Sequence, residues 1–154
     1  MNRTILRTLA IEDIDLALEF VREYYALDHI PFDWGRVRRG LLEIANDAAL
    51  GQFWFVRHED QDVGHALLSY GFDLEFGGRT ATVTEVYLRE AHRGLGLGTA
   101  VFEALEQHCA ERGVQTLELQ AERENTAARR FYTRLGFQAH DRVPYSKAIQ
   151  GGVS

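Results

Sequence analysis

The sequence predicts a single α/β domain, and three observations carry the prediction. Segments with a helical spacing of apolar residues alternate along the chain with short segments of strand character. The 154 residues are about one domain in length and suffice to bury a core. The hydrophobic fraction of 45% is ordinary for a globular protein, and no internal repeat is visible. We expect one domain over residues 1–154, with a loosely anchored tail at 150–154.

The first half of the chain combines two helical patterns with three strand patterns. Apolar residues at three- and four-residue spacing mark the helices, Asp33 is a suitable N-cap for the second, and turns rich in polar residues or glycine separate the strands. In chain order the expected elements are a strand at 5–9, helices at 13–26 and from Asp33 to Asn46, and strands at 53–57, 63–69 and 80–88.

The second half continues the alternation. A helix is expected at 100–112, where Val101, Leu105 and Cys109 share one face and Gly113 ends the helix. An alternating strand follows at 116–121, and then a helix at 126–135 between Asn125 as N-cap and Gly136 as stop signal. A last strand is expected at 145–149.

Residues 93–99, with the sequence RGLGLGT, are the most informative segment of the chain. Glycine lets the backbone adopt unusual angles and approach a ligand closely, and a glycine turn that opens a helix leaves backbone N–H groups free. The positive end of the helix dipole points the same way, so the segment favours a phosphate, with Arg93 at its rim. No lysine follows Gly98 as in a P-loop, and Thr99 stands where a dinucleotide fingerprint needs glycine.

Arg93, Gly96 and Gly98 form an Arg-x-x-Gly-x-Gly pattern that resembles the acyl-coenzyme A signature of the GNAT superfamily of N-acetyltransferases. The strand before it and a second motif downstream, Asn125-x-x-Ala128-x-x-Phe131-Tyr132-x-x-x-Gly136-Phe137, match that family in order and separation. The resemblance implies a mixed, mostly antiparallel central sheet flanked by helices, with acetyl-coenzyme A (acetyl-CoA) as co-substrate in a cleft where central strands splay.

The resemblance also implies which residues bind the cofactor. Backbone groups of Val86 and Leu88 would pair with the pantetheine arm as an added strand does, and the glycine turn would hold the diphosphate. The expected cofactor-binding residues are Val86, Tyr87, Leu88, Arg93, Gly94, Leu95, Gly96, Leu97, Gly98, Thr99, Asn125, Ala128 and Tyr132.

Two side chains are the candidates for proton transfer. An alkylamine has a pKa near ~10 and must lose a proton before it attacks, and Glu85 on the central strand is the candidate base. The alternative is that Glu85 faces solvent or forms an ion pair. By resemblance, Tyr132 approaches the coenzyme sulfur as general acid, and its alternative is a core tyrosine on an apolar helical stripe. Asn125 has two compatible roles, helix capping and a bond to the cofactor arm.

The acceptor is not specified by the sequence. The aromatic residues Tyr24, Tyr25, Phe32 and Trp34 stand where the family builds its acceptor site, although core packing is the default for such rings. Residues 71–78 either wall the same cleft, where their acids would attract a cationic amine, or form an exposed turn. A small-molecule amine and a protein amino group both stay open. A homodimer is an expectation from the resemblance alone.

Composition excludes several other classes. The net charge of −6 argues against a general binder of nucleic acid or of an anionic membrane. The charged first twenty residues are unlike a signal peptide, no apolar run reaches membrane-spanning length, and the lone Cys109 forms no internal disulfide. No histidine spacing is typical of a metal site. We expect a cytoplasmic enzyme without a metal.

These patterns together predict an N-acetyltransferase that moves the acetyl group of acetyl-CoA directly to a primary amine, without a covalent enzyme intermediate. One alternative is a module that binds acyl-CoA as a sensor or interaction surface without turnover. A transferase for longer acyl chains is a further alternative.

Overall fold

The computed structural model describes residues 5–150, which divide after Gln120 into two compact units. The first unit contains a five-stranded sheet and three helices, and the second contains one helix. The elements are β1 (Leu6–Thr8), α1 (Ile14–Leu27), α2 (Trp34–Asn46), β2 (Gly51–His58), β3 (Gln61–Asp73), β4 (Gly78–Leu88), α3 (Leu97–Glu111), β5 (Thr116–Leu119) and α4 (Thr126–Arg134).

The sheet has the strand order β1-β2-β3-β4-β5. The pairs from β1 to β4 are antiparallel and β4 pairs with β5 in parallel, so the expected mixed, mostly antiparallel sheet is confirmed. Glu59 and Asp60 join β2 to β3 in the left-handed conformation, with φ of 50° and 64°. A two-residue hairpin of this kind matches the right-handed twist of its strands. The parallel β5 needs a crossover, which α3 supplies.

β4 is the strand that positions the site. It pairs with β5 only over Thr80 to Val83, and a bulge in its ladder with β3 falls between Val83 and Glu85. Residues 84–88 therefore continue beyond the last pair with β5, bonded to β3 on one side. A bulge is a common device for ending a pairing beside a functional site.

Helices cover both faces of the sheet. Phe53 and Phe55 of β2 lie fully buried in the cluster that α1 and α2 form, and Phe20 of α1 packs on Phe55 with ring centroids 6.0 Å apart. Trp54 points to the other face, where it meets His108 of α3 at 4.7 Å. Burial on two faces explains why residues 53–56 are apolar without alternation.

Local signals set most element bounds correctly. Asp33 caps α2 by accepting a hydrogen bond from the Arg36 amide at 3.1 Å, as expected. α3 begins at Leu97 rather than near 100, because Gly96 adopts the left-handed conformation and acts as its N-cap while Leu97 is buried. Gly98 and Thr99 consequently belong to the first helical turn.

In the second unit, Asn125 caps α4 by accepting from the Ala128 amide at 3.1 Å, as the sequence predicts. The strand predicted at 145–149 is wrong, since residues 137–149 of the described chain hold no helix or strand. The apolar residues there are exposed, Tyr145 by 94%, and no ladder of backbone hydrogen bonds joins the segment to a neighbour. Of the predicted tail, only Gln150 lies within the described residues. No helix of the described chain combines the length and apolarity needed to cross a membrane.

Candidate active site

Two of the three glycines in the turn adopt a left-handed backbone conformation that strains any other residue. Gly94 and Gly96 have φ of 77° and 78°, and a Cβ added to either would meet no atom within 4 Å. The backbone angle, rather than crowding, thus requires glycine at both positions. Gly98 does not share this conformation, because it lies inside α3.

The start of α3 presents free backbone donors. Its first backbone bond beyond the turn runs from the Ala100 amide to the Gly96 oxygen at 3.2 Å, and Gly96 offers no capping side chain. The amides of Leu97, Gly98 and Thr99 therefore have no partner among the residues described. Together with the helix dipole they form a site for an anion.

The end of β4 exposes backbone groups along one edge. The Arg89 amide donates to the Val63 oxygen at 2.9 Å, so these two residues form a hydrogen-bonded pair. Bonded pairs alternate in an antiparallel ladder, which makes His65 and Tyr87 the next bonded pair. The backbone groups of Val86 and Leu88 consequently point away from β3, to the edge of β4 that β5 occupies further back in the strand. β5 pairs with β4 only as far as Val83, so it does not pair with Val86 or Leu88.

Arg93 links the turn to this edge. Its Nε donates to the Leu88 oxygen at 2.8 Å, and its guanidinium carbon lies 5.8 Å from the centroid of the Tyr87 ring. The side chain is exposed. It therefore lies between the strand edge and the helix start, with its terminal nitrogens available to an anion.

Glu85 does not face open solvent. Its side chain is 11% exposed, and Oε1 lies 2.8 Å from Nε2 of His65, a fully buried residue of β3. The hydroxyl of Tyr25 on α1 also faces this carboxylate. Burial, and then the proximity of Glu85, raise the pKa of Tyr25 to about 12. Glu85 and Tyr87 share the sheet face that α1 covers, as strand alternation predicts.

A second polar group holds the end of β4 on α1. Glu23 accepts from the Tyr87 hydroxyl at 2.9 Å and from Arg89 through Nε and Nη2 at 3.0 and 2.9 Å. The hydrogen bond from Arg89 lowers the pKa of Glu23, against the opposing effect of burial. Burial and the bond to Glu23 raise the pKa of Tyr87. This network fixes the strand directly beside Glu85.

The aromatic residues expected at the acceptor site divide into two groups. Tyr24, Tyr25 and Phe32 form an edge-to-face chain with centroids 5.9 Å apart, and Tyr24 lies 6.0 Å from the ring of His65. Trp34 is 57% exposed instead. A shallow cavity of about 230 Å³ beside it is lined by Asp15, Leu18, Glu19, Arg22, Phe32 and Trp34.

The remaining expected site residues lie in the second unit. Asn125 and Ala128 form the cap of α4. Tyr132 is half-buried between Phe131 and Phe137, with centroids at 5.6 and 6.0 Å. These ring contacts agree with the alternative of a tyrosine packed on an apolar helical stripe.

Two polar residues of this region were not predicted from the sequence, namely His65 and Glu23. His65 lies in an apolar run from Val63 to Leu68, so a polar residue at a core-facing position was the available signal. Glu23 carried no such signal on its helix. Cys109 is buried as expected, and burial raises the pKa of its thiol. The described part of the chain contains no cluster of three side chains suited to a metal.

Comparisons with known proteins identify the family and the fold. Residues 15–137 match the model of the acetyltransferase (GNAT) family. Two relatives, from Pseudomonas paraeruginosa and Pseudomonas aeruginosa, are L-methionine sulfoximine/L-methionine sulfone acetyltransferases. Each is 32% identical over 111 residues, which are 71% of this chain and 58% of the relative. The match thus spans somewhat more than half of the relatives' length.

Solved structures share the fold. An integron cassette protein from the mobile metagenome of Cole Harbour salt marsh has a TM-score of 0.82 at 25% identity, over 96% of this chain and 92% of that one. A predicted acetyltransferase from Clostridium acetobutylicum, solved with acetyl-CoA, has a TM-score of 0.77 at 19% identity, over 92% and 94% of the two chains.

Proposed function

The chain belongs to the GNAT acetyltransferase family, and on that premise we propose that it transfers an acetyl group from acetyl-CoA to a primary amine. The observation that carries the proposal is one juxtaposition in the first unit. β4 ends with Val86 and Leu88, whose backbone groups face the edge that β5 does not cover. Shortly after it in the chain comes the start of α3, with the unpaired amides of Leu97, Gly98 and Thr99. Glu85 lies within that same stretch of β4.

These groups suit the separate parts of acetyl-CoA. The helix start and Arg93 offer donors and positive charge to the diphosphate. The strand edge offers the N–H and C=O groups of Val86 and the N–H of Leu88 to an extended amide arm, as in strand addition. The Leu88 oxygen already accepts from Arg93. An N–H group of the same edge can stabilise the charge that develops on the thioester oxygen.

Glu85 then serves as the base in a direct transfer. The carboxylate takes a proton from the ammonium, either in contact or through one water, and the neutral nitrogen attacks the thioester carbon. The C–N bond forms and the C–S bond breaks, and the thiolate takes up a proton. By resemblance to the family, we propose Tyr132 as the donor of that proton, and solvent then returns a proton to the phenolate. A phenol with a pKa near ~10 is a weaker acid than a thiol near ~8.5, so the transfer is uphill by about 2 kcal/mol before the site adjusts either pKa.

The acceptor follows from two considerations. The relatives named above act on methionine sulfoximine and methionine sulfone, which carry an α-amino group beside a carboxylate. The positive charge of Arg36 opposes the rise in the pKa of Tyr25, the phenol that faces Glu85. Arg36 is therefore near enough to this region to attract the carboxylate of an amino acid. A small amino acid is therefore the first acceptor class to test, ahead of polyamines, antibiotics and protein amino groups.

The experiment follows release of free coenzyme A thiol across an amine panel that includes both methionine derivatives. Titration calorimetry gives the affinity for acetyl-CoA of each variant. We expect Glu85→Gln to lower kcat by about 100-fold or more with affinity retained, which is the range for loss of a general base. Glu43→Gln, on the exposed face of α2, is the matched control.

Tyr132→Phe is paired with Tyr145→Phe, an exposed tyrosine of the same unit. A fall in kcat for the first variant alone supports the acid. A wild-type protein that binds acetyl-CoA and acetylates no amine in the panel would favour the alternative, an acyl-CoA sensor without turnover.

A further inference from the structure

His65 is a polar residue sealed inside an apolar cluster. Its side chain is 0% exposed, and its ring stacks on Phe53 with centroids 5.0 Å apart and planes 7° from parallel. Tyr24 meets the ring edge-on at 6.0 Å, and Phe20 lies 6.3 Å away. An aliphatic or aromatic side chain would fill this place without burying a polar group, so packing alone does not require histidine.

The two ring nitrogens have different surroundings. Nε2 lies 2.8 Å from Glu85 Oε1, whereas Nδ1 is buried and has no hydrogen-bond partner in the described structure. A carboxylate accepts hydrogen bonds and does not donate them, so the proton belongs on Nε2. A proton on Nδ1 would be buried without an acceptor. The geometry therefore fixes one tautomer, with the N–H aimed at Glu85.

We propose that His65 is the positioning residue for the base: its Nε2–H holds the Glu85 carboxylate at Oε1. The Tyr25 hydroxyl occupies a further lone pair of this carboxylate, and the remaining lone pairs are available to the substrate amine. This inference rests on the proposed function of Glu85. Ring stacking on Phe53 fixes the imidazole, and the imidazole in turn fixes Glu85. Because the carboxylate is already held in one orientation, it loses less conformational freedom when the transition state forms.

His65 holds the carboxylate and does not relay its proton. Nε2 already carries a hydrogen, and Nδ1 faces no acceptor through which a second proton could leave. The proton that Glu85 receives from the amine must depart through its own exposed surface, which is 11% of the side chain. Ionisable groups near this pair include the phenols of Tyr24 and Tyr25 on α1 and of Tyr87 on β4, with Glu23 and Arg36 beyond them.

The test compares two substitutions at position 65. His65→Gln retains an N–H donor near the place of Nε2, whereas His65→Leu removes the donor and keeps the site apolar. We expect His65→Leu to lower kcat by about 10- to 100-fold with little change in the affinity for acetyl-CoA, and His65→Gln to recover most of the loss.

A double-mutant cycle separates positioning from a purely structural role. In a Glu85→Gln background, His65→Leu should lower kcat less than it does in the wild type, because its effect passes through the carboxylate. Equal effects in both backgrounds would overturn the proposal. So would a His65→Leu variant with wild-type kcat. Thermal unfolding identifies a variant that has failed to fold, and His65→Gln then carries the comparison.

Nitrogen-15 NMR of the His65 ring measures its tautomer directly, so it tests the proposed hydrogen bond independently of enzymatic activity. We expect His65 to be in the Nε2–H form with a slowly exchanging ring proton, and Glu85→Ala to accelerate that exchange. A proton found on Nδ1 would contradict the proposed hydrogen bond whether or not turnover is observed. A protein with the expected tautomer and no transferase activity would instead contradict the proposed function.

Discussion

The glycine turn at residues 93–99 and the His65–Glu85 pair handle polar groups in opposite ways. The turn leaves three backbone donors and an exposed arginine open, with space around both left-handed glycines. The pair encloses a carboxylate with a buried imidazole and leaves 11% of the carboxylate side chain accessible. An open polar surface suits a large anionic ligand that supplies the missing hydrogen bonds. A sealed pair suits a single proton acceptor in a fixed orientation.

The difference separates binding from chemistry within the first unit. Changes to the turn should alter affinity for acetyl-CoA and leave the intrinsic rate of a bound complex nearly intact. Changes around Glu85 should do the reverse.

The largest effect on binding is expected from Gly96→Ala. Its φ of 78° is unfavourable for any residue with a Cβ, by about 1–2 kcal/mol, so the variant must distort the start of α3. We expect the affinity for acetyl-CoA, measured by calorimetry, to fall on the order of 100-fold as the three amides lose alignment. Gly40→Ala in α2 is the matched control, because it has open space and an ordinary helical backbone. Equal affinity in both variants would contradict the assigned role of the turn.

A smaller effect on binding is expected from Arg93→Met. The variant removes one charge and the bond to the Leu88 oxygen but keeps all backbone donors. Affinity for acetyl-CoA should fall about tenfold, and it should depend less on salt than in the wild type, since a charge pair with phosphate is screened. Arg38→Met, which removes the guanidinium near Trp34, provides the comparison. An unchanged salt dependence would exclude a direct contact between Arg93 and phosphate.

On the chemical side, Tyr25→Phe should have a modest effect. The phenol faces Glu85 and stays protonated across the working range, because burial raises its pKa to about 12. Loss of this neighbour should lower kcat about threefold to tenfold, less than His65→Leu, with affinity for acetyl-CoA unchanged. Steady-state kinetics at saturating acetyl-CoA checks this. A loss larger than that of His65→Leu would make Tyr25 the main partner of the base.

The smallest effect concerns stability and pH. Arg89 lowers the pKa of Glu23 in the folded protein, so the ion pair stabilises the fold above the ordinary value of 4.5 and loses this effect as the pH falls through the lowered value. Glu23→Gln should lower the free energy of unfolding at pH 7 by about 1 kcal/mol or less, since both partners are partly exposed. The gap to the wild type should close as the pH falls through the lowered pKa of Glu23. Glu12→Gln, at an exposed position before α1, is the matched control.

Local signals explain what the sequence predicted correctly. The cap at Asp33, the cap at Asn125 and the left-handed glycines of the turn each depend on a few neighbouring residues. Among the described residues, local patterns also found the four α-helices and the five strands of the sheet, although β3 extends to Asp73, beyond its predicted end. The strand predicted at 145–149 failed because apolar character alone does not supply a pairing partner.

The polar groups around the base depend on distant contacts. His65 and Glu85 are 20 residues apart, and Glu23 and Arg89 are 66 apart. Which residues meet across the sheet depends on register and on the bulge between Val83 and Glu85, neither of which leaves a local signal. The position of Glu85 on the central strand, together with the family resemblance, could therefore identify it as a candidate base, but could not identify the histidine that holds it.

The most direct test of the central claim is a titration of the isotopically labelled protein with acetyl-CoA, followed through its backbone amide signals. We expect the amides of Leu97, Gly98 and Thr99 to show the largest shifts, saturating together with those of Val86 and Leu88. Binding of acetyl-CoA that leaves the three amides of the α3 start unmoved would contradict the proposed site.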